Sequence, residues 1–351
     1  MKTGNALSAL AIGSLLLIAP LRGQFVYVTN GGGSNNVSAY RIGSDGALIV
    51  VPGSPFAAGN LPASVATNPV SQFLYVVNES SSNLSAYQID SDGALTAIRG
   101  SPFALGSDPH QVVVDPAGRF VYVVNAVDNN ISALRIATDG NLTPIPGSPF
   151  AAGNFPRSSA VDPMGKFVYV ANEVGNNVSV YRVNANGSLA RVPGSPFKAG
   201  VGPFSLTAHP TSKFVYVVNE GGHNISAYSV GPGGSLKPIP GSPFAAGIEP
   251  VSAAIDPAGK FCYVTNQVSN NISAYRIGTD GALNPIPGSP FLAGIEPVSI
   301  AVDPTGKFAY AANKFSHNIS GYHVDENGGL IPISGSPFPA GAGPNSLAFR
   351  R

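Results

Sequence analysis

The feature that most constrains the fold of this chain is a unit of 47 residues that occurs seven times. The tetrapeptide Gly-Ser-Pro-Phe marks the phase of the unit and begins at Gly53, Gly100, Gly147, Gly194, Gly241, Gly288 and Gly335. A six-residue run that starts with Phe and ends with Asn, such as FVYVTN from Phe25 to Asn30, also occurs seven times. Such a period is typical of repeat architectures, in which each unit packs against its neighbours. We therefore expect one array rather than two ordinary domains.

Each unit contains four strand signals that are separated by turn residues. Between residues 297 and 330, the turn Asp303-Pro304-Thr305-Gly306 divides the first two apolar stretches, and Asn327-Gly328 divides the last two. Most other units have an Asp-Gly or Asn-Gly pair at the second place, which predicts a type I′ turn. The unit is therefore predicted to be an antiparallel meander of four strands.

One such sheet has two apolar faces, and radial stacking of the sheets would cover both faces and protect the edges. The sequence thus predicts an all-β, seven-bladed β-propeller over residues 24–351. The run at Phe25 lacks an inner strand before it, whereas the stretch at Pro344 lacks a second strand after it. We expect these two to pair and close the ring. The alternative is that residues 14–20 form the first inner strand, which would leave the C-terminal strand unpaired.

The N-terminus differs from the rest of the chain. Lys2 precedes an uncharged apolar stretch from Ala6 to Leu21, and Arg22 follows it. This pattern is typical of a secretory signal peptide over residues 1–23 and predicts export to the periplasm or beyond in a bacterium. An uncleaved anchor and a cytoplasmic apolar tail are the alternatives. No membrane span is expected in the mature chain.

Charge and cysteine content exclude several kinds of partner. There are 19 basic and 18 acidic side chains and no basic run, so nucleic acid is not expected as a partner. The single cysteine, Cys262, lies within a predicted strand and allows neither a disulfide nor a thiolate metal site. We expect a monomer without cofactor or metal.

In a ring of near-identical units, a functional site must come from residues that differ between the blades. The residue after the proline that opens the inner strand is in turn Ala63, His110, Arg157, Phe204, Val251, Val298 and Asn345. The residue after the Asn that ends the second strand is in turn Gly31, Glu79, Ala126, Glu173, Glu220, Gln267 and Lys314. Because these strands are antiparallel, both sets are predicted to lie at the same mouth of the central channel. A polar sector is expected on adjacent blades: His110, Arg157, Glu173 and Glu220.

The FVYVTN-type strand, the Asp-Pro-x-Gly-Lys-Phe turn and the sevenfold count resemble the seven-bladed lactonase family over residues 24–351. This family includes bacterial 6-phosphogluconolactonases and fungal carboxymuconate-lactonising enzymes, and non-enzymatic YVTN-repeat surface proteins share the same framework motifs. The resemblance implies a catalytic site at Pro109-His110, Pro156-Arg157 and Asn172-Glu173. Ser158 and Glu220 occupy two further site positions, implied to bind substrate, where the family has His and Arg.

Two classes of function follow from these residues. The first is a hydrolase that opens a lactone, with Glu173 as general base, Arg157 as the contact of the oxyanion or a carboxylate, and His110 as the orienting or acid group. In this hypothesis the anion at Glu220 predicts weak binding of phosphorylated or carboxylated sugar lactones. The second is an exported propeller that binds a protein or glycan without turnover. Arg157 and Glu173 could also be only an ion pair at a solvated rim.

Overall fold

The computed structural model describes residues 24–350, which form seven antiparallel sheets arranged as a closed ring. The prediction of an all-β, seven-bladed propeller is confirmed. The predicted signal peptide, residues 1–23, lies outside the described residues. Among the described residues, no helix is long and apolar enough to cross a bilayer.

Residues 24–350 contain thirty-five strands, β1 to β35 in chain order, which fall into five sets with one member in each blade. The innermost strands are β5 (Pro62–Thr67), β10 (Pro109–Val114), β15 (Pro156–Val161), β20 (Pro203–Ala208), β25 (Pro250–Ile255), β30 (Pro297–Val302) and β35 (Pro344–Arg350). The second strands are β1 (Phe25–Asn30), β6 (Phe73–Asn78), β11 (Phe120–Asn125), β16 (Phe167–Asn172), β21 (Phe214–Asn219), β26 (Phe261–Asn266) and β31 (Phe308–Asn313). The third strands are β2 (Asn36–Ile42), β7 (Asn83–Ile89), β12 (Asn130–Ile136), β17 (Asn177–Val183), β22 (Asn224–Val230), β27 (Asn271–Ile277) and β32 (Asn318–Val324).

The two outer sets are short. The fourth strands are β3 (Leu48–Val50), β8 (Leu95–Ala97), β13 (Leu142–Pro144), β18 (Leu189–Arg191), β23 (Leu236–Pro238), β28 (Leu283–Pro285) and β33 (Leu330–Pro332). The fifth strands are β4 (Phe56–Ala57), β9 (Phe103–Ala104), β14 (Phe150–Ala151), β19 (Phe197–Lys198), β24 (Phe244–Ala245), β29 (Phe291–Leu292) and β34 (Phe338–Pro339).

The fifth strand was not predicted. It contributes two residues that pair with the start of the third strand, as Phe56 does with Val37. The serine of the preceding Gly-Ser-Pro-Phe tetrapeptide fixes this segment, because Ser54 Oγ accepts a hydrogen bond of 2.9 Å from the Ala39 backbone N–H, and every blade repeats this bond. Two residues are too few to show a strand period in the sequence.

The ring closes through the two ends of the described chain. Strand β1 pairs with β35, from Phe25 opposite Arg350 to Asn30 opposite Pro344. The first blade is therefore completed by the C-terminal strand, and the prediction of closure across the termini is confirmed.

The hairpin between the third and fourth strands differs from its predicted type. In the first blade the Gly46 N–H donates to the Gly43 carbonyl, and Gly46 is in the left-handed region with φ of 85° whereas Asp45 is not. A type I′ turn needs positive φ at both central residues, so this prediction is wrong. Five residues, from Gly43 to Ala47, separate the two strands, and Gly46 is the one whose positive φ favours glycine.

The second strand is the most buried strand of each blade, and its tyrosine makes a hydrogen bond to a neighbouring blade. The Tyr27 hydroxyl donates to the Gly93 carbonyl in the outer hairpin of the next blade. The Tyr310 hydroxyl donates in the same way to the Gly46 carbonyl, which joins the last blade to the first. Cys262 is fully buried in one of these second strands, and burial raises the pKa of its thiol to about 12. A thiol of this kind is an apolar core group rather than a nucleophile.

The Asn at the end of each second strand fixes the backbone next to the channel mouth. Asn172 Nδ2 donates to Asn177 Oδ1 at 2.7 Å and to Ser179 Oγ at 2.9 Å, while Asn172 Oδ1 accepts from the Gly153 N–H. Asn177 and Ser179 belong to an Asn-x-Ser triplet that begins every third strand, and this network explains why the triplet recurs. The residue that follows the Asn, here Glu173, is held at a fixed place at the mouth.

Candidate functional site

A β-bulge at the start of each inner strand turns one side chain into the channel. In the fourth blade Pro156 lies opposite Asn172 and Ser158 lies opposite Ala171, so Arg157 is an extra residue in the ladder. Bulges re-aim side chains and often lie near functional sites. The same shift occurs in the other blades at the residue after the proline.

These residues line a cavity of about 500 Å³ at one mouth of the channel. Of the predicted site residues, His110, Arg157, Ser158 and Glu220 line this cavity. Glu173 adjoins it through contact with Arg157, and its backbone N–H donates to the Phe155 carbonyl at 2.9 Å. The predicted polar sector therefore lies on adjacent blades at one mouth.

The guanidinium group of Arg157 is held by contacts on several sides. Its Nη1 lies 2.8 Å from His110 Nε2, and its Nε lies 3.4 Å from Glu173 Oε2. Its central carbon lies 4.5 Å from the centroid of the Phe204 ring, a cation–π contact. The ion pair that the sequence suggested between Arg157 and Glu173 is present, but it belongs to a larger network around one cation.

The imidazole of His110 is neutral in this network. Its Nε2 faces a guanidinium, which can only donate hydrogen bonds, so Nε2 carries the lone pair and Nδ1 carries the hydrogen. Nδ1 lies 3.5 Å from Glu79 Oε2, and Nε2 lies 3.3 Å from Asp108 Oδ2. Burial and the charge of Arg157 lower the pKa of His110 to about 4, while Asp108 acts in the opposite direction.

Two carboxyl groups of the cavity have raised pKa values. Burial and then the neighbouring Asp108 raise the pKa of Glu79, whereas Arg157 lowers it. Burial and then Glu173 raise the pKa of Glu220, and Arg157 again acts against the shift. Shifted carboxyl groups in a cleft are typical of functional sites.

One group of side chains could in principle hold a cation. Glu79, Asp108 and His110 each offer a ligand atom, and these atoms lie within 4.8 Å of one another. Arg157 Nη1 lies 2.8 Å from His110 Nε2, so an ion bound through this nitrogen would have to displace Arg157.

The sequence reasoning missed Asp108 and did not select Glu79, Phe204 or Lys314, all of which line the cavity. A third position of the repeat could have identified Asp108, because the residue before the inner-strand proline also varies between the blades. Its members are Leu61, Asp108, Phe155, Gly202, Glu249, Glu296 and Gly343. Each of them has a left-handed backbone, with φ between 51° and 63°, next to the mouth.

The opposite mouth of the channel has a different character. A cavity of about 430 Å³ is lined there by prolines of the inner hairpin turns and by apolar side chains such as Ile255, Val302 and Phe349. None of the described residues that line it is ionisable. The chemistry is therefore concentrated at the mouth that contains Arg157.

Comparison with protein-family models identifies the family of this chain. The family model for the seven-bladed β-propeller lactonases matches residues 16–106, 101–194 and 180–345, which together cover most of the chain. The chain belongs to this lactonase family. The resemblance noted from the repeat motifs is thereby confirmed.

Solved structures share the fold of this lactonase-family propeller. A candidate 6-phosphogluconolactonase from Bacteroides uniformis has a TM-score of 0.83 at 21% identity, covering 93% of this chain and 99% of its own. A candidate 6-phosphogluconolactonase from Bacteroides fragilis has a TM-score of 0.83 at 20% identity, covering 95% and 99%. The periplasmic gluconolactonase of Pseudomonas aeruginosa has a TM-score of 0.78 at 21% identity, covering 94% and 99%. None of the curated protein sequences matches this chain.

Proposed function

We propose that this propeller is a hydrolase that opens a lactone at the mouth containing Arg157. The observation that carries the proposal is the fixed guanidinium of Arg157, which faces a cavity and contacts a neutral imidazole, a carboxylate and an aromatic ring. Membership of the lactonase family supports a lactone as the class of substrate.

Arg157 is proposed to stabilise the oxyanion that forms when water attacks the lactone carbonyl. Its position is set before substrate binds, so little reorganisation is needed as negative charge develops. The bulge at Arg157 directs the side chain inward, and the Phe204 ring restricts it. His110 is proposed to orient Arg157, because its neutral Nε2 accepts a hydrogen bond from the guanidinium.

Glu173 is proposed to be the general base. Its Oε2 is buried beside Arg157, whereas the side chain as a whole is 27% exposed, so Oε1 is the oxygen proposed to accept a hydrogen bond from the attacking water. Glu173 would take the proton of the attacking water and return it to the ring oxygen when the carbonyl carbon–oxygen ring bond breaks. The product is the open hydroxy acid. Ser158 and Glu220 are proposed to contact the substrate from the cavity wall.

The proposal is tested with a panel of aliphatic and sugar lactones and purified protein. Arg157→Ala should lower kcat/KM by at least about 10²-fold, the loss typical of one oxyanion donor. Glu173→Gln should lower kcat/KM by about 10²- to 10⁴-fold, as expected for a general base. Arg276→Ala is the matched control, because Arg276 is an exposed arginine of the third strand β27 and stacks on Phe261 away from the cavity.

Normal turnover in both site variants would reject this site. If the unmodified protein opened none of the lactones, the catalytic proposal would fail and binding without turnover would be favoured.

We further propose that residues 1–23 direct export and are removed. The apolar stretch between Lys2 and Arg22 supports this proposal, and one structurally similar protein is described as periplasmic. Cell fractionation followed by N-terminal sequencing should find a periplasmic or secreted protein that begins at Gln24. Recovery of a chain starting at Met1 in the membrane fraction would instead show an uncleaved anchor.

A further inference from the structure

We infer that the cavity takes an uncharged, polyhydroxylated lactone and disfavours a phosphorylated one, an inference that rests on the proposed lactone hydrolysis. Structurally similar proteins include candidate 6-phosphogluconolactonases and a gluconolactonase, so the fold alone does not distinguish the two kinds of substrate. The charges and hydroxyl groups of this cavity do.

The charge of the site is the first argument. Carboxyl groups outnumber cations, since Glu79, Asp108 and Glu220 line the cavity and Glu173 adjoins it, whereas the cationic side chains are Arg157 and Lys314. His110 adds no positive charge near neutral pH, because burial and Arg157 lower its pKa to about 4. The formal excess is two negative charges.

A phosphate group would add a charge of about −1.5 to −2 to this surface. Arg157 already contacts Glu173 and His110, so a phosphate would have to compete with these partners for the guanidinium. Glu220 on the next blade, and Glu249 close to it, would repel the phosphate. Like charges placed together across a binding surface reduce affinity strongly.

A ring of polar side chains supplies the second, independent argument. The residue that follows the bulge on the inner strands lines the cavity in every blade, and it is Ser64, Gln111, Ser158, Ser205, Ser252, Ser299 or Ser346. Four of the serine oxygens accept a hydrogen bond of 3.3 Å from an inner-strand N–H of the adjacent blade. A hydroxyl that accepts such a bond keeps its own hydrogen for donation.

The ring therefore presents several uncharged donors around one axis, which matches a ligand rich in hydroxyl oxygens. Phe204 adds an apolar surface on which the C–H groups of a sugar ring can pack. The cavity volume of about 500 Å³ lies within the range of about 300–1,000 Å³ that is usual for small-molecule sites. Size, donors and charge thus agree on a neutral sugar lactone.

The test compares glucono-δ-lactone with its 6-phosphate in the unmodified protein at low salt. We expect kcat/KM for the neutral lactone to exceed that for the phosphate by at least about tenfold. The ratio should shrink at about 1 M salt, where the screening length falls to about 3 Å. Equal or higher kcat/KM for the phosphorylated lactone would overturn the inference, as would hydrolysis of aliphatic lactones alone.

Equilibrium binding of the corresponding lactams, which resist hydrolysis, separates the two proposals. If no lactone is hydrolysed but the neutral lactam binds at least about tenfold more tightly than its phosphate, the inference stands and the catalytic proposal fails. Equal or tighter binding of the phosphorylated lactam overturns the inference whatever the enzyme assay gives.

One substitution tests the origin of the preference. Glu220→Arg should shift the kcat/KM or binding ratio toward the phosphorylated ligand by at least about tenfold. Glu326→Arg is the matched control, because Glu326 is exposed on an outer hairpin and the net charge changes equally. The neutral change Glu220→Gln, which should give a smaller shift, serves as the second variant. An unchanged ratio in both Glu220 variants would contradict the assignment of the preference to this carboxylate.

Discussion

At the scale of single residues, the site depends on a histidine that is kept neutral. His110 is only 12% exposed and has Arg157, Glu79 and Asp108 around it. Burial disfavours the imidazolium, and so does the guanidinium of Arg157, whereas Asp108 favours it. A protonated His110 would lose the lone pair with which Nε2 accepts from Arg157, and the two cations would repel each other. The geometry of Arg157 thus depends on the protonation state of its neighbour.

This arrangement predicts a specific pH dependence of stability. The pKa of His110 is about 4 in the folded protein and 6.5 in the unfolded chain, so the unfolded chain binds more protons between these values. Stability should therefore fall as the pH drops from about 6.5 toward about 4. Urea unfolding at pH 7 and pH 5 should show a larger loss in the unmodified protein than in His110→Gln.

The carboxyl groups of the site make the comparison with a variant necessary. The raised pKa of Glu79 acts with the opposite sign, because the folded state then holds the proton more tightly and loses stability as the pH rises through that pKa. Exposed His323, outside the cavity, provides the matched control variant His323→Gln. The same pH dependence in the unmodified protein and both variants would contradict the role of His110.

At the scale of the secondary-structure element, two small irregularities in each blade place side chains in the channel and shape the contact between neighbouring blades. The bulge after the inner-strand proline turns Arg157 into the channel, and a single left-handed glycine ends the outer hairpin. In the fourth blade this glycine is Gly187, with φ of 88°. Its carbonyl accepts a hydrogen bond from Tyr122 of the adjacent blade, and a Cβ there would lie 2.6 Å from the Phe120 ring.

A pair of glycine substitutions separates backbone strain from packing between the blades. Gly194 has φ of 84° but has room, since a Cβ there would lie 3.6 Å from the Phe197 ring. Gly194→Ala should cost about 1–2 kcal/mol for the left-handed backbone alone. Gly187→Ala should cost a further 1–3 kcal/mol or so, because the methyl group overpacks the interface. Equal free energies of unfolding in the two variants would contradict the role of the interface contact.

At the scale of the whole molecule, the ring is held closed by the C-terminal strand. Strand β35 pairs along the whole length of β1, and Leu347 packs into the core cluster of Val26 and Val28. The closure also includes a hydrogen bond of 2.6 Å from Thr67 Oγ1 to the Phe349 carbonyl of the same closing strand. Loss of this strand would expose one edge of β1 and open the apolar faces of two blades.

Removal of residues 344–351 should therefore abolish cooperative unfolding rather than weaken it slightly. The expected loss is a large part of the roughly 5–15 kcal/mol that stabilises a typical domain. The matched control is a circular permutant of the propeller that joins residue 350 to residue 24 by a short linker and opens the outer hairpin at Gly233, where a Cβ would meet nothing within 4 Å. We expect the permutant to retain a single transition by circular dichroism. A truncated protein with an unchanged midpoint would contradict closure by β35.

The repeat determined most of the architecture because its signals are local. Strand propensity, turn residues and a constant period of 47 residues predict the blades, their number and the offset that requires closure across the termini. They did not reveal the two-residue fifth strand, and they gave the wrong hairpin type, because both depend on hydrogen bonds within the folded sheet.

The sequence by itself also indicated the mouth of the channel at which His110, Arg157, Glu173 and Glu220 lie. The start of the inner strand and the end of the antiparallel second strand are at the same mouth, and these are two positions of the repeat that vary between blades. Only the tertiary structure decided how these groups interact. Residues 47 positions apart become neighbours across a blade interface, and the bulge brings Arg157 to 2.8 Å from His110. Asp108 and Glu79 join them, and their burial and mutual charges set the pKa values of the site. Such electrostatic effects depend on distance and desolvation, which no local pattern in the sequence specifies.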